Sequence, residues 1–507
     1  MQAFEERMVE LVERTSSRLP DDAMRALAEG RAREDAATRS AIALQTVAIN
    51  VDMARRDVAA ICQDTGMPTF EIHAPLGFDA LEAEACIHRA LARATEAGIL
   101  RRNSVDSLTG ENQGNAGTGY PVIHVHTWQE PHVRVRLLLK GGGCENMSTQ
   151  YSLPAELEGL GRAGRDLDGV RKCVLNALWK AQGKGCSPGF LGVCIGGDRT
   201  SSHELAKAQL FRPLNDVNPE PSLARLEAYV LEAGNRLGIG TMGFGGDITV
   251  LGCKVGARNR LPACFFVSVA YNCWAFRRQA VHLDAQSFDV LGWDYLDPAA
   301  PDVLSTASDE GGFSDGSVRR LRLPISEEEA RSLRVGDVVL LDGTLHLGRD
   351  RFHAHFLKED LPVDVRGSAI YHCGPVMLKE GDTWRVMAAG PTTSIREEPY
   401  QADILRKTGF RVVIGKGGMG ARTLRGLQDV GAVYAVAVGG AAQYYARRVR
   451  AVQGVHCLEF GIPEAMWHFE VRDFPVFVTM DSHGQSLHAE VETASLDRLK
   501  ALADPVF

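Results

Sequence analysis

Val412-Val413-Ile414-Gly415-Lys416-Gly417-Gly418-Met419-Gly420-Ala421 is a short β-branched run, a glycine loop and the first residue of a helical stretch. The run reads as a buried strand, the glycines permit a sharp turn, and the helix from Ala421 leads to a second apolar run, Ala432–Val438. Strand, helix and strand in that order predict a parallel α/β unit. The loop also fits G-x-G-x-x-G, the pattern of a dinucleotide site. Such a site needs an acidic residue for the ribose after the second strand, and here that strand ends in Gly439-Gly440. An NAD-dependent oxidoreductase is therefore an alternative, and Lys416 among backbone N–H groups is read as an anion site.

Outward from this unit, Val338–Leu341 and Thr344–Leu347 read as short strands, so the C-terminal part combines a small β unit with the α/β unit. Residues 283–318 are rich in Asp, Ser, Gly and Pro and lack periodicity, as a linker would. Before them, residues 1–55 read as helical, with a helix started at Pro20. Further helices are expected over Leu81–Ala97, Val170–Ala181 and Pro221–Leu237, and strands over Val122–His126, Val133–Leu139 and Phe265–Tyr271. The expected division is an N-terminal domain 1–282, a linker 283–318 and a C-terminal domain 319–507.

With 507 residues, 45% hydrophobic and 24% charged, the chain has the composition of a soluble globular enzyme. A net charge of −8 argues against a nucleic-acid partner, which needs a basic face, but leaves room for one locally positive pocket. The longest uncharged apolar runs, Leu261–Phe276 and Val430–Ala446, are shorter than the roughly 20 residues of a membrane helix. The first helix is amphipathic and charged, unlike a signal peptide, so the expected compartment is the cytoplasm with no membrane partner. Eleven cysteines without a secretory signal do not suggest a disulfide framework. Cys62, Cys144, Cys186, Cys194 and Cys273 lie near turns or at the ends of apolar runs and are the candidate ligands among them.

Cys62-Gln63-Asp64-Thr65-Gly66 sets a thiol, an amide, a carboxylate and a hydroxyl on successive residues. It reads either as a buried cysteine beside an ordinary turn or as a metal-binding strand end. Cys62, Cys186 and Cys273 share such a context but are far apart in the chain, unlike the close pairs of zinc sites. Three thiolates on a four-iron cluster would leave one iron open as a Lewis acid. Gly390-Pro391-Thr392-Thr393-Ser394-Ile395-Arg396 offers hydroxyls around one guanidinium at a helix start, which is either a carboxylate cradle or an N-capped helix. His346, His353 and His355 cluster upstream, and Arg349-Asp350 with His353 reads either as a polar cluster on one helical face or, in preference, as a solvated loop.

Taken together, CQDTG (62–66), KGGGCENMS (140–148), GCSPGFLGVCIGG (185–197), GFGGDITVL (243–251), NCWAFRR (272–278), GRDRFHAH (348–355), GPTTSIR (390–396), IGKGGMG (414–420), GGAA (439–442), PEAMW (463–467) and FPVFVTMDSHGQSL (474–487) resemble the class I fumarases. These are iron-sulfur hydro-lyases, a family that includes L-tartrate dehydratase and mesaconate hydratase. The motifs run in family order from residue 62 to 487, so the chain looks like the fused form of a family that also occurs as two subunits. The resemblance implies an α/β N-terminal domain and a swivelling β/β/α C-terminal domain, with the site between them, in a homodimer. It implies a [4Fe-4S] cluster on Cys62, Cys186 and Cys273, and a small dicarboxylate held by Gln63, Arg102, the Gly143 backbone, Arg349, Arg396 and Lys416. Asp64 and Thr392 are the implied proton-transfer pair.

The implied activity is reversible hydration of fumarate to (S)-malate, with L-tartrate or mesaconate as alternative substrates. Three positions depart from the pattern. Leu261 stands where the family often has a substrate-contacting histidine, Cys144 where serine is common, and Pro463 where methionine is common. None touches the implied cluster, and they bear on which diacid is preferred, Leu261 above all.

Overall fold

Phe4, Met8, Leu11 and Val12 recur on one face of the helix Gln2–Ser17, and all four are buried. The structure is a computed structural model that describes residues 1–296 and 318–507. This first helix and the helix Ala80–Glu96 cover one face of a five-stranded sheet, contributing Phe4, Leu11, Ile87 and Leu91 to a core with Phe70, Ile72, Val133, Val135 and Leu137. The strand order is Val290–Trp293, Arg278–Asp284, His132–Lys140, Met67–Ala74, Val122–Thr127.

The first residues of the expected linker carry a hairpin. Residues 284–289 form the turn of a hairpin, where Asp284 Oδ1 accepts from Gln286 N (2.9 Å) and Ser287 N (2.8 Å), and Val290–Trp293 returns along Arg278–Asp284. The rest of that stretch, 297–317, lies outside the described residues.

A second N-terminal sheet runs Val250–Arg258, Gly189–Gly196, Phe266–Asn272, Thr149–Ser152. Gly189–Gly196 is antiparallel to Phe266–Asn272, with Phe190 opposite Asn272. The residues just before the first strand and just after the second, Cys186 and Cys273, consequently emerge at one edge. The helices Leu167–Ala181 and Pro221–Arg236 follow the expected segments closely.

In the C-terminal unit the two short strands expected around Val338 are one, Val338–Leu347, with an irregularity between Leu341 and Gly343. Seven strands are ordered Arg319–Arg322, Val338–Leu347, Ala369–Tyr371, Val412–Gly415, Val433–Val436, Met466–Met480, Val449–His456. The long strand Met466–Met480 also pairs with Val338–Leu347, so the sheet bends round into a small barrel-like form. Val412–Gly415 and Val433–Val436 are parallel, joined by the helix Ala421–Val430, as the opening stretch predicts. The first five strands in that order are mutually parallel, and Arg349, His372, Lys416 and Gly439 follow the carboxyl ends of the last four of them. That edge is where α/β sheets place their ligands.

The two units meet through specific bonds. Asn50 Oδ1 accepts from Gln443 N (2.8 Å) and Tyr444 N (3.1 Å), and Gln443 Nε2 donates to Ala60 O (2.9 Å). Trp274, fully buried, donates from Nε1 to Gly439 O at 2.8 Å. Truncating a buried tryptophan of this kind costs about 3–5 kcal/mol.

Candidate active site

The helix Arg39–Asp57 ends on Val58, whose φ of 48° lies in the left-handed region that a β-branched residue rarely adopts. That turn reverses the chain and delivers Ala59–Cys62 against the C-terminal unit. Gly66 follows with φ 81°, and a Cβ there would lie 2.7 Å from the Lys140 backbone, so only glycine fits. Between them, Gln63 Nε2 donates to Pro391 O (2.9 Å) across the domain boundary. Asp64 accepts at Oδ2 from Gly142 N (2.8 Å) and at Oδ1 from Arg101 (3.2 Å).

Cys186 is also left-handed, with φ 56°, and Gly185 packs against the Tyr271 ring. Cys273 follows the strand Phe266–Asn272 directly. Cys62, Cys186 and Cys273 are 3–7% exposed, and each lies within electrostatic reach of the others. Burial raises the Cys62 thiol above its ordinary value, against the pull of Arg277, and pushes Cys186 up to about 11, against Lys416. Cys144 joins the group beside Cys273, and their interaction lowers the Cys144 thiol below its ordinary value and raises Cys273 above its own. Cys194 does not join it, being buried within the strand Gly189–Gly196.

These thiols fit a cluster better than a single ion. Among the described residues no three His, Cys, Asp or Glu side chains converge as one metal ion requires. Three buried thiols within electrostatic reach of one another, with Lys416 Nζ 2.9 Å from Cys186 Sγ and Arg277 acting on Cys62, are a soft, charge-compensated donor set that suits an iron-sulfur core. Burial alone would lower the Lys416 pKa, but the Cys186 and Cys62 sulfurs raise it above the usual lysine range, so the ammonium stays charged. Gly439 leaves the space, since a Cβ there would sit 2.4 Å from Cys186 Sγ and 3.0 Å from Lys416 Cδ.

Beside the thiols is a cavity of about 440 Å³ lined from both units. Gln63, Asp64 and Gly143 face it from the first, and Arg349, Thr392, Arg396 and Lys416 from the second. Six basic side chains (Arg101, Lys140, Lys207, Arg349, Arg396 and Lys416) line it against two carboxylates, Asp64 and Glu145. This acidic protein thus carries a locally positive pocket, suited to a dianion. Burial would raise the Asp64 carboxyl, but Arg101, Arg277 and Lys416 hold it down at about 2. Arg396 donates to Thr392 Oγ1 at 3.3 Å and pairs with Asp350 at 3.1 Å. Arg349 pairs with Glu464 at 3.2 Å.

Several expectations change. Arg102 is exposed and lines an adjoining outer cavity of about 270 Å³, whereas Arg101 is the guanidinium that reaches Asp64. Arg101→Ala should lower kcat/KM about 100-fold, because it strips a half-buried carboxylate in the cavity of its guanidinium partner, while Arg102→Ala should stay within about threefold of wild type. Steady-state kinetics of the two variants decide the point. Leu261 is 68% exposed in a turn at the far end of the strand Phe266–Asn272 from Cys273, so it takes no part in its own chain's cavity. Arg349 caps a helix, Asp350–Phe356, and His353 is fully buried, so this segment is not a solvated loop. The glycine loop does not offer a pyrophosphate site. Glu398 accepts from Gly420 N (2.7 Å), Arg422 N (3.0 Å) and Thr423 N (3.2 Å), putting a carboxylate where the phosphates would lie. Lys207 and Asn103 line the cavity without any sequence signal that sets them apart from other polar residues, and Lys140, which opens the motif at 140–148, lines it too.

Residues 5–282 match the family model described as fumarate hydratase (fumerase), and residues 298–491 match that of the fumarase C-terminus. A Geobacillus stearothermophilus protein named "Putative fumarate hydratase class I" is 56% identical over 513 aligned residues, covering 100% of both chains. The chain belongs to the class I fumarate hydratase family. It is thereby a hydro-lyase of the fumarate hydratase type, in which both halves of the family are fused. The C-terminal half also resembles L(+)-tartrate dehydratase subunit beta of Escherichia coli K12, 38% identical over 189 residues that cover 37% of this chain and 94% of that subunit. A Methanocaldococcus jannaschii protein named "Putative L(+)-tartrate dehydratase subunit beta" is 38% identical over 185 residues, 35% of this chain and 95% of its own length. Among the described residues no helix is long and apolar enough to cross a membrane.

Proposed function

We propose that this fumarate hydratase hydrates fumarate reversibly to (S)-malate at the cavity between its N-terminal and C-terminal domains, with a [4Fe-4S] cluster on Cys62, Cys186 and Cys273. The convergence of Asp64, Thr392, Arg349, Arg396 and Lys416 from two domains on one cationic cavity carries the reading. When bound, the cluster supplies a Lewis acid for the substrate hydroxyl through the iron that lacks a protein ligand.

The protein's own groups do the rest. Arg349, Arg396 and Lys416 bind the two carboxylates and stabilise the charge that builds on one of them as the neighbouring carbon loses its proton. Gln63 and the backbone at Gly143 complete the cradle from the first domain. In hydration Thr392 gives its hydroxyl proton to the carbon, Arg396 on Oγ1 lowering the cost of the charge left there, and the proton that Asp64 takes from the adding water passes back to Thr392 before the next turnover. Asp64, anionic and fixed by Gly142 N and Arg101, accepts the proton of the water that adds. Domain closure by a swivel of the C-terminal β/β/α domain, a homodimer and a cytoplasmic location accompany this reading.

The test is the anaerobically reconstituted protein. Four irons per chain with conversion of fumarate to malate are expected, and four irons without hydration would sink the proposal. The relative that spans the whole chain at 56% identity is named for fumarate, and the tartrate dehydratase β subunits reach 38%, so fumarate should exceed L-tartrate and mesaconate in kcat/KM.

A further inference from the structure

The C-terminal residues assigned to substrate rest on a buried polar chain that the reaction does not itself use. Arg349 O accepts from His353 N (3.0 Å) and lies 2.7 Å from His353 Nδ1. His353 Nε2 lies 2.9 Å from Gln401 Oε1, and so does His372 Nε2. His372 Nδ1 lies 2.9 Å from Ser394 Oγ, which also accepts from Tyr434 OH at 3.0 Å. Thr392 N donates to His372 O (2.6 Å), Ser394 N to Lys416 O (3.1 Å) and Lys416 N to Thr392 O (3.2 Å).

His353, His372, Ser394, Gln401 and Tyr434 are all fully buried. Water therefore cannot replace a lost partner in this chain without repacking. Gly415 makes the crossing possible, since a Cβ there would fall 1.8 Å from Ser394 Oγ. On one side of Gln401 the chain ends at Arg349, and on the other at Thr392 and Lys416. One oxygen on the helix Glu398–Thr408 is the joint between them.

We propose that Gln401 is a positioning residue, whose Oε1, shared by His353 and His372, sets the spacing between Arg349 and the Thr392–Lys416 pair across the dicarboxylate. This rests on the assignment of those three residues to substrate. It asks for an effect on alignment rather than on folding, since a displacement of about 1 Å at reacting groups costs on the order of 100-fold in rate.

The experiment compares Gln401→Met, which keeps the volume and removes the oxygen, with Gln401→Glu, which keeps an acceptor for both imidazoles and gives a counter-charge to His353, which donates from Nδ1 to Arg349 O and from Nε2 to residue 401 only as an imidazolium. Activity is normalised to folded protein carrying a full iron complement, and melting temperature and the imidazole 15N signals of His353 and His372 are recorded alongside. Gln401→Met should lose about 30-fold in kcat/KM with both imidazole signals moved, and Gln401→Glu should recover to within about threefold of wild type. Met within twofold of wild type, or Glu as impaired as Met, overturns the proposal. If Gln401→Met does not fold, Gln401→Asn shortens the reach by one methylene. A tenfold or greater loss there supports the joint, and a smaller one overturns it. Wild-type protein that is inactive on fumarate would instead overturn the functional reading, and the imidazole signals would still report whether Gln401 couples the two rings.

Discussion

Cys273→Ser should lose cluster absorbance and at least about 100-fold of activity, while Cys264→Ser retains both. The two cysteines flank one strand, Phe266–Asn272, and differ in where its ends lie. Cys273 is buried at the edge shared with Cys186, and Cys62 directly precedes Gln63 and Asp64, which line the cavity. Cys264 sits at the opposite end in a half-exposed turn. A serine oxygen is a harder, less readily ionised donor than a thiolate, so the open-iron cluster would lose one of three anchors. Iron analysis and visible absorbance of anaerobically reconstituted protein read the first effect, and fumarate hydration the second. Cys144→Ser provides the inner control: its sulfur touches Cys273 but is not assigned to iron, so the cluster should persist. Equal losses at 273 and 264 would mean that the ligand assignment is wrong.

The α/β character of both halves is legible in local patterns, because strands such as Val412–Gly415 and helices such as Ala421–Val430 follow their own periodicity and glycine punctuation. The site is not legible in that way. Nothing local in Cys62-Gln63-Asp64-Thr65-Gly66 separates a ligand from a turn, and what assembles it is the reversal at Val58 and the antiparallel register of two distant strands. Companion motifs, read as a resemblance, carry the information that spacing lacks.

Misplaced details have physical causes of the same kind. The hairpin turn at 284–289 has the Asp and Ser composition of a linker because both need side chains that cap bare backbone N–H groups. Arg101 and Arg102 are indistinguishable as a pair, and only the alternation of the backbone aims one at Asp64 and the other at solvent. His353 looks solvated because its helix, Asp350–Phe356, is too short to show a periodic apolar face. Its burial depends on Gln401 and His372, which arrive from other elements.

Asp64→Asn should lower kcat by about 10²–10⁴ in both directions while leaving the iron content unchanged. The substitution is nearly isosteric, so Cys62 and the turn at Gly66 keep their geometry. An amide cannot accept the proton of the adding water, and it removes the anion that Arg101 and Arg277 surround. Part of the loss will appear in KM, because Oδ1 and Oδ2 accept from different donors, Arg101 and Gly142 N, and the amide has only one oxygen to offer them. Hydration and dehydration must fall by equal factors in kcat/KM, since the overall equilibrium is untouched. The comparison with Thr392→Ala then separates the two proton positions. Exchange of the carbon-bound proton of malate with deuterated solvent should persist in Asp64→Asn more than net dehydration does, and should vanish in Thr392→Ala. Should exchange and dehydration fall together in Asp64→Asn while Thr392→Ala keeps exchange, the two roles are reversed: Asp64 would then be the base at carbon, and the hydroxyl held by Arg396 would serve the water.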